Sequence, residues 1–229
     1  MMNSILTDSI FFGAFISVIG YMIGIFCKKK LSVLNPLLIS IIFVILVIKI
    51  FNIDYETYSN GAKYISYLLT PATVCLAIPL YRQIEILKNH AKEVFIGILA
   101  GVIASMGSIL LLSYLFGLTH EQYVTLLPKS ITTAIGMGVS EELGGIQTIT
   151  VAVIIITGVI GNIFAEWILK IFRIKEPVAK GLAIGTSSHA VGTAKALEIG
   201  EIEGAMSSLS VAVAGLMTVI TASFFANFL

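Results

Sequence analysis

Charge is what this chain has least of. Lys, Arg, Asp and Glu make up 12% of its 229 residues against 57% hydrophobic, and the mean hydropathy is +1.00. A soluble domain carries far more polar surface than that. The formal net charge of +1 removes the basic footprint that a nucleic-acid partner requires. Cysteine is almost missing too. Cys27 and Cys75 lie in or beside apolar runs, which excludes a disulfide framework and leaves both as packing residues. Metal-ligand spacings, a phosphate-cradling loop and a local nucleophile–base pair are also lacking, so no cofactor, no metal and no enzymatic activity is expected.

What is present is hydrocarbon. Six uncharged runs of 18 residues or more occupy the chain: Ser9–Cys27, Leu31–Ile48, Tyr64–Tyr81, Val94–Leu118, Leu143–Ala165 and Ala205–Leu229. Each is long enough to cross a ~30 Å bilayer core at ~1.5 Å per residue. The first run is not expected to be a cleavable signal peptide, because it lacks a basic start and is followed by Lys28-Lys29-Lys30 instead of a small-residue cleavage site. The whole of 1–229 is therefore expected to be a single integral membrane domain of the all-α class.

Two stretches interrupt this pattern, Leu127–Gly145 (LPKSITTAIGMGVSEELGG) and Gly181–Gly200 (GLAIGTSSHAVGTAKALEIG). Polar, irregular backbone at membrane depth is tolerated only where protein buries it or where it lines a wet cavity. The basic residues decide how the two are threaded. Lys28–Lys30, then Arg82, Lys88 and Lys92, and finally Lys170, Arg173, Lys175 and Lys180 all ask for the cytoplasm. That works if Leu127–Gly145 dips in from the outside and Gly181–Gly200 from the cytoplasm, giving six spans plus two re-entrant or broken-helix segments. The alternative is that both cross fully, giving eight spans.

An internal echo accompanies these pieces. Pro71-Ala-Thr-Val-Cys-Leu-Ala-Ile-Pro79 aligns with Pro128-Lys-Ser-Ile-Thr-Thr-Ala-Ile-Gly136 at an offset of 57, and Gly101, Gly158 and Gly215 follow at the same spacing. The expected organisation is two N-terminal spans in 1–63 followed by repeat units 64–125, 126–181 and 182–229, with inverted topology of the kind that builds a midplane site in transporters.

Within the first segment, Pro128 is expected to open a helix whose first turn carries Lys129, Ser130, Thr132 and Thr133, an anion site in outline and suited to a carboxylate. Lys129 snorkelling to the interface while the hydroxyls cap the helix is the other reading. In the second, Gly185 and Gly192 permit close approach while Ser187, Ser188, His189 and Thr193 supply polar groups. His189, ionisable at membrane depth, is a candidate ligand or proton carrier; a neutral histidine tying two helices together is the alternative. Pro71, Pro79, Pro128, Gly136, Gly144, Gly145, Gly185 and Gly192 are the expected hinge positions. Glu141, Glu142, Glu198, Glu201 and Glu203 read as solvated ends of the polar segments, Glu166-Trp167 as an interface anchor, and Asn162 as a helix-packing residue.

PKSITT with the following GG and TG, GLAIGTSSHAVGTA, and PATVCLAIPLY at Pro71–Tyr81 resemble the LrgB/CidB family of bacterial membrane proteins over essentially the whole chain. The family is described both as an antiholin-like or holin-like modulator of murein hydrolases and autolysis, and as a carrier of small carboxylates, with pyruvate in bacteria and glycolate and glycerate in a plastid relative. The resemblance implies a multi-pass protein of the bacterial inner (plasma) membrane, a small monocarboxylate substrate with possible proton coupling, and either an LrgA-type small membrane partner or a homo-oligomer. Two positions depart from the family's common pattern: Ala134, where a proline often follows the Thr pair, and Ile146-Gln147, where another often follows the GG pair.

Overall fold

A bilayer leaves the backbone only its own partners, and the chain answers with helices. The computed structural model describes residues 11–30, 34–68, 71, 74–75 and 77–229, and no strand occurs among them. Two compact units divide at Cys75.

The first unit holds α1 (Phe12–Lys30), α2 (Pro36–Ile50) and α3 (Tyr55–Ser66). The buried face of α1 consists of Gly13, Ile16, Gly20 and Gly24. A Cβ on Gly24 would overlap the Pro36 backbone, so the small residues set how closely α2 packs. Asn35 opens α2 by accepting from Leu37 N (2.8 Å) and Leu38 N (3.2 Å), with Pro36 at the first helical position. The expected run Leu31–Ile48 is thereby cut to a helix of 15 residues beginning at Pro36. Residues 31–33 lie outside the described set, as do residues 1–10, which include the start of the expected run Ser9–Cys27.

The second unit holds α4 (Ala77–Arg82), α5 (Ile84–Asn89), α6 (Ala91–Phe116), α7 (His120–Leu126), α8 (Thr133–Glu142), α9 (Gln147–Ile171), α10 (Pro177–Ile199) and α11 (Glu201–Ala226). Of the expected run Tyr64–Tyr81, residues 69–70, 72–73 and 76 are outside the described set; its described ends belong to α3 and α4. Helices α1, α6, α9 and α11 are each long and apolar enough to cross a membrane, and α2 is a shorter apolar helix. The chain is an all-α polytopic membrane protein.

The long helices of the second unit alternate in direction. Helix α6 begins just after Lys88, carries Lys92 in its first turn and ends at Gly117, whose left-handed backbone (φ 62°) lets Leu118 N reach back to Ser113 O. Helix α9 starts against Thr125 at that far end, where Ile146 N donates to Thr125 Oγ1 (2.8 Å), and returns to Glu166 and Lys170. Helix α11 climbs again, so that Tyr123 Oη donates to Phe225 O near its end (2.8 Å). The lysine- and arginine-bearing ends of α6 and α9 thus share one end of this unit, the basic end.

Helix α10 is two arms meeting at His189, where φ 42° and ψ −143° break the helix. Gly181 lies against Glu203 and Met206, and Gly185 against Ser207 and Ser210, so the first arm runs alongside α11 in the same direction. Thr193 then returns to Ser207 (2.9 Å) and Leu197 to Gly204, so the second arm runs back. The hairpin enters and leaves at the basic end. Helices α7 and α8 make the opposite hairpin from the far end, closed by Thr150 Oγ1, which donates to Thr125 O (2.9 Å) and shares a hydroxyl–hydroxyl hydrogen bond with Ser140 Oγ (2.7 Å).

Candidate functional site

The first polar segment departs from expectation at its opening. Pro128 is fully buried and follows the end of α7 instead of starting a helix. A proline closes a preceding helix as readily as it opens the next. Lys129 and Ser130 therefore sit in the turn between α7 and α8, braced by Lys129 N donating to Leu126 O (3.1 Å), and helix α8 opens five residues later with Thr132 at its N-cap. Ile131 is buried, which seats the turn in the apolar interior.

That turn reaches α6. Lys129 Nζ donates to Ser130 Oγ (2.9 Å) and to Ser105 Oγ (3.3 Å), and Ser105 Oγ donates to Ser130 Oγ (3.0 Å). Ser105 lies 11 residues before the end of α6, about 16 Å at ~1.5 Å per residue, and so near mid-membrane. From the opposite direction the first arm of α10 packs along the same helix, Leu182 against Gly97 and Thr186 against Gly101. A Cβ on Gly101 would stand 2.8 Å from Thr186 Oγ1, so a side chain there would push the arm away.

Between the two tips and α6 lies a cavity of about 760 Å³. Lys129, Ser130, Ser105, Thr186 and Ser187 line its deep end, Ser108 joins them from α6, and His90, Glu93 and Glu176 stand at the basic end. Beside Ser105 and Ser130, on the side of α11, a separate void of about 10 Å³ lies between Val102, Met106, Leu127, Ile131, Ala214 and Thr218. That is at the lower limit for one water.

Lys129 is the chemistry of this chamber. It is half-buried, it has hydroxyl partners, and none of the described carboxylates forms an ion pair with it. The carboxylates that share the cavity, Glu93 and Glu176, stand at its basic end and not within ion-pair distance of this ammonium.

The other sequence candidates divide. Ser187 lines the cavity, whereas Thr132 and Thr133 are not among its walls. Ser188 turns to the other side of the arm, against Gly161 on α9, and hydrogen-bonds Ser187 Oγ (3.0 Å). His189 is buried, with Nε2 3.0 Å from Ile154 O and the ring against Gly158. Thr193 is buried between His189 O (3.0 Å) and Ser207 Oγ (2.9 Å). These three hold the hairpin to α9 and α11. Asn162 Nδ2 assists by donating to Val191 O (2.8 Å). Among the expected hinges, Gly136 packs on Ile154, Gly144 turns the chain after α8 with φ 82°, and Gly145 N donates to Ser140 O (2.7 Å). Gly185 lets the first arm of α10 approach α11, and Gly192 sits beside Ser188 and Ile184 across the break. Pro79 falls inside α4, and Pro71 is exposed.

Glu141, Glu142 and Glu201 are exposed, as solvated ends would be, whereas Glu198 and Glu203 are engaged in ion pairs. Glu203 is buried and pairs with Lys180 (3.4 Å), which places it in the packing between α10 and α11. Lys195 bridges Glu166 (2.6 Å) and Glu198 (3.1 Å). Sequence reasoning missed Ser105, Ser108, His90, Glu93 and Glu176 as cavity residues. A serine in an apolar helix carries no signal of its own, although Ser105 and Ser108 share α6 with Gly101, a member of the 57-residue glycine series.

Residues 17–228 match the model of the LrgB-like family. The antiholin-like proteins LrgB of Bacillus mycoides, Bacillus cereus and Bacillus anthracis are each 38% identical over 222 residues, covering 96% of this chain and 96% of theirs. No solved structure matches.

Proposed function

From the premise that the chain belongs to the LrgB-like family, we propose that it carries a small monocarboxylate, of the pyruvate or glycolate type, across the bacterial plasma membrane. The observation that carries this reading is Lys129: an ammonium without an ion-pair partner among the described carboxylates, lining a cavity beside the hydroxyls of Ser105 and Ser130. Its charge balances the carboxylate. Ser105, Ser130, Thr186 and Ser187 are the groups within the same chamber that can hydrogen-bond the remaining oxygens. By the positive-inside rule the cavity faces the cytoplasm, and release to the other side requires the two hairpin tips to part. His90, Glu93 and Glu176 are the ionisable groups that line the cavity beside Lys129, whereas His189 is buried against Ile154 O outside it. The protein acts as a carrier and not as an enzyme.

Reconstitution of the purified chain in proteoliposomes tests this. Uptake of labelled pyruvate or glycolate that saturates and falls on Lys129→Met supports transport; absence of uptake, alone and with a partner, refutes it.

The relatives' name, antiholin-like protein, favours a second reading, in which the chain regulates murein hydrolase activity and autolysis; an LrgA-type membrane partner or a homo-oligomer belongs to that proposal. In that case a deletion strain lyses abnormally, and a Lys129→Met allele restores normal lysis as well as the parent gene does.

A further inference from the structure

A second cavity, of about 560 Å³, lies at the basic end where α9 turns into α10. Its charged walls are Glu166, Lys170, Arg173, Lys175, Lys180 and Glu198. The two carboxylates are already engaged from outside the cavity, both by Lys195, while Lys180 is drawn to Glu203. Lys170 stands 4.0 Å from Glu166 and is largely exposed. Arg173 and Lys175 form no ion pair with any of the described carboxylates. The cavity therefore presents unbalanced positive charge.

The backbone adds an independent observation. Helix α9 ends with Ile174 N donating to Leu169 O (2.9 Å) and Arg173 N to Lys170 O (3.1 Å), a Schellman closure whose left-handed position glycine normally fills. Here it is Arg173, at φ 53°. An arginine held in a conformation that costs backbone energy is a reason to look for what its guanidinium does. The closure also brings Leu169 and Ile174 together as apolar walls of the same cavity. A guanidinium and an ammonium two residues apart on a short loop, over an apolar floor at the membrane surface, suit the tetrahedral oxygens of a phosphate.

We infer that this cavity binds a phosphate group, as an anionic lipid headgroup or as a free phosphate, separately from the Lys129 chamber. The class follows from the unbalanced charge and from the arginine's fork, which matches two phosphate oxygens at once. Basic pockets at the cytoplasmic ends of membrane helices take lipid headgroups by the same chemistry.

The test uses Trp167, the single tryptophan of the chain, one turn before Lys170 on α9. Its emission is followed in the detergent-purified protein while short-chain phosphatidylglycerol, inorganic phosphate or short-chain phosphatidylcholine is added. A saturable response to phosphatidylglycerol alone identifies the lipid headgroup; a response to inorganic phosphate as well identifies phosphate in general. Arg173→Gly suits the left-handed backbone, so it is expected to melt no lower than the parent without added phosphate. Combined with Lys175→Gln it is expected to raise the half-saturating concentration at least about tenfold, the loss of a charge-assisted hydrogen bond. No saturable response to either phosphate probe, an equal response to phosphatidylcholine, or unaltered binding by the double variant overturns the assignment. None of these readouts depends on carboxylate transport.

Discussion

Lys129 Nζ lies 3.3 Å from Ser105 Oγ, so a turn entering from one end of the molecule is moored at the middle of a helix that starts at the other. The contact holds the positive charge deep in the cavity, on the side that faces the basic end. Lys129→Met keeps the apolar stem and removes the charge. It is expected to raise the half-saturating concentration for a carboxylate roughly 10- to 150-fold, as a hydrogen bond to a charged group of ~1.5–3 kcal/mol implies, with the melting temperature little altered. Labelled pyruvate uptake alongside thermal unfolding checks both.

Ser105→Ala removes one of the two hydroxyls that orient the ammonium and leaves Ser130 in place. A loss of about 0.5–1.5 kcal/mol is expected, a few-fold to tenfold weaker apparent affinity. Thr133→Val, on a residue outside the cavity walls, is expected to leave affinity unchanged. Comparing the two variants in one uptake assay separates a role for the chamber from a general effect of losing a hydroxyl.

For His189, the hydrogen bond to Ile154 O and the packing on Gly158 define a tie between α10 and α9. His189→Gln retains a donor and should transport with the parental pH profile. His189→Leu leaves the tie unmade and should lower stability by about 1–3 kcal/mol, the usual cost of losing such a buried polar contact. A pH profile flattened by His189→Gln alone would return the proton to this residue.

Much of this site can be traced to particular residues of the sequence. Lys129 was visible because an ammonium in an apolar chain has few places to go, and the two polar segments were visible because bilayers do not tolerate such backbone without a purpose. The glycine series also held meaning: Gly101 meets Thr186, Gly158 meets His189 and Gly215 meets Ile135, each facing a hairpin. What was hidden is direction. Nothing local says whether the side chain after a helix break faces a cavity or a neighbouring helix, so Ser187 and His189 looked alike and point apart. Pro128 was misplaced for a related reason, since a proline marks a helix boundary without saying on which side the helix lies.

Threading can be checked with single cysteines after Cys27 and Cys75 are removed. Cysteines replacing Lys175 and Ile199, at the two ends of the α10 hairpin, are expected to react with an impermeant thiol reagent from the same side. Cysteines at Leu118 and Gly144 are expected to react from the opposite side. Labelling of positions 175 and 199 from opposite sides would mean that α10 crosses the membrane.

The depth of Ser105 on α6 gives the site an electrical character. A monovalent anion moving from the basic end to Lys129 passes roughly half of the hydrocarbon thickness, and so at most about half of the membrane potential, less where water fills the cavity. A full crossing corresponds to ~2.3 kcal/mol per 100 mV, and the half-crossing to about 1 kcal/mol. On the proposed carrier reading, with the basic end in the cytoplasm, occupancy of the chamber is expected to depend on voltage: an interior-negative potential favours entry of the anion before either hairpin moves, and binding alone should register as a displacement current.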